Sequence, residues 1–478
     1  MGKKSLTVNA ALNIIKELVN ILFPMITFHY VTTLLGEYNY GKYVFSASIV
    51  SYISYIAAAG ILRYAIRECA GIRDDKTKVE TLVNEIYTIN VFTTVIAFVI
   101  LAGLLVFWTK LHSYAPVILV LSLTVLFTTI GVDWINSAFE DFAFITVRHI
   151  ICQTLALILV FVLVRDSDDV VGYAIASSFG VVVPNIINRF HIKKKYGFSP
   201  RFRPSEKIKK HIKAIAFLFA CTIGTFIYIN SDVTILGIFY DDNITGFYGV
   251  SSRFYLLVKQ VINAAFVVFI PRIANELSKD VHKSVEKLQK VLHFTVIAVV
   301  PASVGLIMIR KNLILLFSGE DFIRAQSSLF ILGIALIPAL LANFYINIVM
   351  IPLKKEKQVM IATLVSAGVN LVLNIILIPF FAEDAAAVTT LIAELLMLGM
   401  GMFWTRDIKF GGIWKPLAAS ILGGAGIVGV CLFTNSMITV PLWGVVVPIA
   451  VSGVLYLAVL AVFYRKEMVS LLKNKKIV

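Results

Sequence analysis

Fourteen times along this chain an apolar run reaches the ~20 residues that a helix needs to cross the hydrocarbon of a bilayer. The runs cover 9–35, 43–65, 82–107, 114–138, 144–164, 170–190, 214–239, 245–271, 291–317, 326–352, 359–381, 384–405, 416–434 and 441–463. Lipid offers no hydrogen bonds, so each run must satisfy its own backbone, and at this length only a helix does so. Apolar residues make up 59% of the 478 and charged residues only 15%, against about 25% charged in a soluble domain. The predicted fold is an all-α integral membrane protein of about 14 transmembrane helices. A soluble enzyme, a disordered chain and a disulfide scaffold are excluded. The cysteines Cys69, Cys152, Cys221 and Cys431 show no CxxC or metal-like spacing and read as packing residues. Lys3 and Lys4 imitate a signal-peptide start, but Asn9, Asn13, Lys16, Glu17 and Asn20 interrupt the first apolar run, which predicts a retained first helix.

The net charge of +15 would suggest nucleic acid in a soluble protein. Here the loops explain it. With the N-terminus inside, cytoplasmic segments hold 31 Lys and Arg, nine of them within 193–213, while the outside loops hold 6. That asymmetry predicts both termini in the cytoplasm and makes a nucleic-acid partner unnecessary.

The longest polar stretch, 191–213, follows six spans and divides the chain into an N-terminal six-helix lobe, 1–190, and a second, 214–405. Residues 416–464 form an additional helix pair. The lobes carry a common pattern. Leu35-Gly36 precedes Gly41-Lys42-Tyr43-Val44-Phe45-Ser46, and Leu236-Gly237 precedes Gly246-Phe247-Tyr248-Gly249-Val250-Ser251. Both copies follow an odd-numbered span, so the repeat is parallel, which places a ligand site between pseudo-symmetric halves.

Ionisable groups at membrane depth are costly and face a wet cavity or a partner. Asn9, Asn13, Lys16 and Asn20 share a stripe of about 60° on the first span, with Glu17 beside it. Ser48, Ser51, Tyr52 and Tyr55 share an arc of the second, close to Arg63; these residues suit sugar hydroxyls and equally suit helix–helix hydrogen bonds. Asp133 ends the fourth span, and Glu140, Asp141 and Arg148 follow as an ion-pair cluster at the cytoplasmic mouth. Asp232 lies on the seventh span. On the eighth, Arg253 and Gln260 share one face, Lys259 and Asn263 another. Ser366, Asn370 and Asn374 form a stripe on the eleventh, and Glu394 stands alone on the twelfth. Lys16, Arg63, Arg148, Arg253 and Lys259 thus supply cations from both lobes, which an anionic ligand explains. Arg grips phosphate through a bidentate fork and Lys as a point charge. Asp133, Asp232 and Glu394 either pair with these cations, gate the path or carry a coupling ion, H+ or Na+. No catalytic motif or metal motif is present, and the loops are too short for a soluble catalytic domain. The sequence therefore predicts no enzyme and no cofactor.

Leu35-Gly36 with Tyr40-Gly41-Lys42-Tyr43, Ile66-Arg67-Glu68, Arg73-Asp74-Asp75, Asp133-Trp134, Phe139-Glu140-Asp141-Phe142 and Asp168-Asp169 occur in an order that resembles the polysaccharide transporter family. The pattern continues in Asn230, Asp232, Leu236-Gly237, Pro271-Arg272, Gly319-Glu320-Asp321-Phe322, Ile351-Pro352-Leu353-Lys354, Asn370, Asn374 and Ala393-Glu394. That family holds the O-antigen, capsule and teichoic repeat-unit flippases, in a superfamily with multidrug exporters and lipid II flippases. The resemblance implies two lobes around a central cavity opening alternately to each side, in a bacterial inner membrane. It implies a polyprenyl-diphosphate-linked oligosaccharide as substrate, membrane lipids as surroundings and a polysaccharide polymerase as a candidate partner. One chain holds both lobes, so a monomer is expected. Thr33 stands where such proteins often carry Arg, which points to a different contact there. Two alternatives stay open: a multidrug or cation exporter, whose cavity would be acidic and aromatic, and a glycan-assembly membrane protein that moves nothing.

Overall fold

The computed structural model describes the backbone of residues 6–267 and 281–465, and side chains over 25–263, except 221, 222 and 225, and over 285–465. The chain divides into two compact units, 1–246 and 247–478, described in turn.

In the first unit, α1 (Leu6–Ala58) is followed by α2 (Ile61–Gly71), α3 (Lys76–Phe107), α4 (Ala115–Gly131), α5 (Trp134–Ala138), α6 (Phe142–Leu163), α7 (Val170–Tyr196) and α8 (Lys209–Phe239). α9 (Asp242–Val267) begins in this unit. The 53 residues of α1 are two spans, because Gly36 at φ 66°, ψ 179° breaks the helix. The chain doubles back there. Phe28 and Tyr40 stack edge to face with centroids 5.9 Å apart, whereas 12 residues of straight helix would separate them by about 18 Å. α1 then packs against α3, α4, α6 and α8, and α4 and α6 both pack against α7.

Two predicted spans end early, each at backbone that cannot continue a right-handed helix. The span expected over 43–65 stops at Ala58, where Ala59 (φ 46°) and Gly60 (φ 74°) are left-handed. The span expected over 114–138 stops at Gly131, with Val132 at φ 46°. Beyond these breaks lie the short helices α2 and α5. The polar stretch 191–213 is largely ordered. α7 runs to Tyr196, residues 197–205 are non-helical, and α8 begins at Lys209.

In the second unit, α10 (Val281–Ser318), α11 (Gln326–Asn343), a π-helical continuation (Phe344–Met350), α12 (Glu356–Trp404), α13 (Trp414–Met437) and α14 (Pro441–Phe463) follow α9. α12 is also two spans. Ala382 (φ 48°, ψ −131°) reverses it, so Asn370 reaches Thr389 at 3.4 Å, a separation of about 28 Å in a straight helix. α11 packs on α10 and α12, and the additional pair α13 and α14 packs on α10. There Gly423 gives room for the Tyr456 ring, whose hydroxyl donates to the Ile297 carbonyl at 2.7 Å.

Counting the two broken helices as pairs and setting aside α2 and α5, the helices match the fourteen apolar runs. Their outer faces are apolar. Phe107 is 87% exposed and Val462 75%, which water would penalise and lipid does not. The chain is a multi-pass helical membrane protein. Cys69, Cys152 and Cys431 are buried and free.

Candidate functional site

In the first unit the break at Val132 creates the polar centre. α4 ends at Gly131, whose carbonyl loses its helical partner and instead accepts from the Asn188 side chain at 2.6 Å. Gly131 is required, since a methyl there would lie 2.0 Å from the Asn185 amide oxygen. Asn188 also holds Asn136, and Asn136 donates to Asp133 at 3.2 Å. Asp133 accepts from Arg148 Nη2 at 2.8 Å.

This Arg is the notable group. Its side chain is 6% exposed and its guanidinium lies 5.1 Å from the Phe144 ring centre. Nε and Nη1 are buried and have no hydrogen-bond partner among the described residues. Asp133, by contrast, is 39% exposed. Nη2 is spent on Asp133, and Nε and Nη1, on different edges of the guanidinium, are each left as a buried single donor.

The other members of the predicted cytoplasmic cluster find separate partners. Glu140 pairs with Arg73 at 2.9 Å on the surface. Asp141 holds Lys195 and, at 3.0 Å, His191 Nε2. Burial pushes the Asp141 carboxyl up, but hydrogen bonds from Lys195 and His191 outweigh burial and hold it below the ordinary carboxylate range.

Arg63 sits on the exposed face of α2, past the helix break, and forms no ion pair with another described residue. Lys16 lies on α1 in the stretch whose side chains fall outside the described residues, as do Asn9, Asn13, Glu17 and Asn20. Asp232 is buried on α8 near Tyr52. The Ser/Tyr arc of the second span serves helix packing. Tyr55 stacks on Phe219 and Phe226 and donates to the Phe219 carbonyl at 3.0 Å, while Thr234 donates to Ser48 at 3.1 Å.

In the second unit Lys259 and Glu394 meet at 2.5 Å, and Tyr255 donates to the same carboxylate oxygen at 2.9 Å. A residue expected to contact substrate and one expected to gate or couple are thus a buried pair. One helical turn on, Asn263 binds Asn343, which precedes the π-helical stretch and binds Asn347 in the middle of it. The Lys259 and Asn263 face of α9 is therefore engaged within this unit. Arg253 lies about 120° around the helix from Lys259, half-buried and in no ion pair with a described residue, and Gln260 is exposed. Asn370, Asn374 and Thr389 bond to one another across the α12 hairpin, so that stripe joins helices.

Two buried polar groups escaped the sequence reading. Glu85 on α3 accepts from His211 Nε2 at 2.8 Å and Lys210 at 3.0 Å, and His211 Nδ1 lies 2.6 Å from the Tyr64 hydroxyl. A lone acid just inside the third apolar run was the available signal. Glu383, beside the α12 reversal, receives Arg324 through Nε and Nη2 at 2.5 and 3.2 Å. The gap between the apolar runs 359–381 and 384–405 marked the turn where Glu383 stands, but not its partner Arg324, 59 residues away. Among the described residues, no group of three His, Cys, Asp or Glu side chains is placed to hold a metal ion.

Comparison with known proteins places this geometry. Residues 6–276 match the family model described as "Polysaccharide biosynthesis protein". The chain is 21% identical over 290 residues to a protein of Escherichia coli (strain K12) named "Putative O-antigen transporter", covering 61% of this chain and 69% of that one. In fold it is similar to the lipid II flippase MurJ in an inward closed conformation, with a TM-score of 0.72 and 17% identity over 96% of this chain and all of that one. It is also similar to an inward-facing multidrug resistance MATE family transporter of the MOP superfamily, with a TM-score of 0.57 and 13% identity over 82% and 97% of the two chains. The relatives are transporters and flippases rather than enzymes. The family match spans more than half of the chain, including the α4–α6 break that carries Arg148, and on that match the chain belongs to the polysaccharide biosynthesis protein family.

Proposed function

We propose that this chain is a flippase that moves polyprenyl-diphosphate-linked oligosaccharide repeat units from the cytoplasmic to the outer leaflet of a bacterial inner membrane by alternating access, with both termini cytoplasmic. The observation that carries the reading is Arg148, a buried guanidinium with two nitrogens left without partners among the described residues. A buried cation with unspent donors is costly unless something anionic uses it, and a diphosphate supplies acceptor oxygens for them. Arg253, half-buried on α9 and in no ion pair with a described residue, is the corresponding candidate in the second unit, with Arg63 on α2 as a further contact. Lys259 is neutralised by Glu394 and acts on substrate only if that pair opens. Asp232, buried on α8, is a candidate for a coupling ion, with Asp133 and Glu394.

A cation exporter would need buried acids free to meet its ligands. Asp232 aside, the buried acids among the described residues are engaged: Glu85, Asp141, Glu383 and Glu394 each hold a cation, and Asp242 accepts from the Tyr114 hydroxyl at 2.7 Å, which favours the anionic substrate.

The test is flipping of a fluorescent polyprenyl-diphosphate oligosaccharide in proteoliposomes, read by protection from a membrane-impermeant quencher. Arg148→Ala and Arg253→Ala should each slow protection at least tenfold while thermal stability stays within a few degrees. Unchanged rates in both folded variants would defeat the anionic-site reading.

A further inference from the structure

The segment that joins α7 to α8 is pinned along α3 in a way that a plain connector does not need. Backbone N–H of Arg201 donates to Asn84 Oδ1 at 2.7 Å, and that of Arg203 to Thr88 Oγ1 at 2.8 Å. The Phe202 ring meets Phe92 with centroids 5.3 Å apart. Asn84, Thr88 and Phe92 are one stripe of α3, successive turns about 6 Å apart. Phe92 is 48% exposed and begins the lipid-facing surface that continues through Val95, Ile96 and Val99. The ring of Phe202 thus rests where hydrocarbon begins, and the two arginines lie one to two turns nearer the α3 N-terminus, at headgroup depth. Because the segment is held by its backbone, the Arg201 and Arg203 side chains stay outside. Both are exposed and neither forms an ion pair with another described residue.

Beside this segment an apolar groove of about 260 Å³ runs between α3 and α8, with Ile89, Thr93 and Ile96 on one wall and Ile212, Ile215 and Phe219 on the other. Lys209, exposed, stands one turn above Ile212 on the same stripe of α8. The single acid of the segment, Glu206, is 93% exposed and lies 3.5 Å from Lys209, too solvated to cancel the field. Cations at headgroup depth above a groove at acyl depth are complementary to one kind of molecule.

We propose that this is a binding site for an anionic glycerophospholipid, its phosphate held by Arg201, Arg203 and Lys209 and one acyl chain lying in the groove between α3 and α8. The site is separate from Arg148 and does not depend on what the protein transports. Each basic side chain near an anionic surface contributes roughly fivefold in binding, so removing both arginines should weaken binding about 25-fold.

The experiment titrates the full-length protein in neutral detergent with phosphatidylglycerol or phosphatidylcholine and reads bound lipid by native mass spectrometry. Arg201→Ala/Arg203→Ala should lose most of the preference for phosphatidylglycerol, and Arg201→Lys/Arg203→Lys should keep most of it. Ala216→Phe, which fills the groove, should weaken both lipids alike. Melting temperatures should stay near the parent value, because the pinning bonds are made by backbone. The proposal is overturned if the double alanine variant binds phosphatidylglycerol as the parent does, or loses both lipids equally. It is overturned too if the variant loses only a polyprenyl diphosphate, which would make this surface a dock for the transported substrate.

Discussion

At the residue scale, several buried charges among the described residues are spent on one another. Arg148 with Asp133, Lys259 with Glu394, Arg324 with Glu383 and Lys195 with Asp141 are four such pairs. A list of intramembrane cations read from sequence therefore overstates the charge offered to a ligand. Which partner each cation meets depends on residues 15 to 135 positions away, which local spacing does not encode. The Lys259–Glu394 pair makes the point testable. Lys259→Met strands a buried carboxylate with only Tyr255 as donor, and should destabilise the solubilised protein by about 3 kcal/mol. Lys259→Met/Glu394→Met removes the stranded charge as well and should recover most of that loss. Thermal unfolding of the parent, both single variants and the double variant measures the coupling. A double variant as unstable as the sum of the singles would show that the pair is not an energetic unit.

At the element scale, the serines of the two glycine-tyrosine-serine patterns bond back one turn, Ser46 to the Lys42 carbonyl at 2.8 Å and Ser251 to the Phe247 carbonyl at 3.0 Å, as Ser51 and Thr88 do elsewhere. Leu35 and Leu236 are both buried. The two glycines also face each other. A methyl on Gly41 would lie 1.7 Å from the Asp242 carbonyl oxygen, and one on Gly246 would lie 2.3 Å from that of Glu37. Small residues let helix backbones approach this closely in lipid. Gly41→Ala and Gly246→Ala should therefore each cost at least about 1–3 kcal/mol, whereas Gly103→Ala, which meets nothing within 4 Å, should leave the melting temperature unchanged or raised. Equal melting temperatures for the three variants would contradict the close crossing. Helix ends were the least legible feature at this scale. The stops at Ala58 and Gly131 are made by Ala59, Gly60 and Val132 in left-handed conformations, and neither Ala nor Val announces such a conformation.

At the scale of the whole molecule, the strongest constraint is the count of spans together with the bias of basic residues. Both imply that the turn at 165–169 faces outward and the segment at 197–205 inward. Ser167→Cys should react with a membrane-impermeant maleimide on intact cells, and Ser205→Cys only after permeabilisation; both positions are exposed. The reverse pattern would invert the orientation and with it the proposed direction of transport. Sequence alone determined that the chain is an all-helical membrane protein, roughly where its spans lie and which family it resembles. The reason is that a bilayer demands apolar length and internal hydrogen bonding of every span separately, so each run of residues carries its own evidence. Tertiary structure alone decided that Arg148 keeps two donors unspent while Lys259 is neutralised, that the Ser/Tyr arc and the Asn370–Asn374 stripe join helices, and that the basic segment lies along α3. These outcomes depend on which distant side chains share a small volume of low dielectric, where one partner more or less changes the energy of a charge by several kcal/mol.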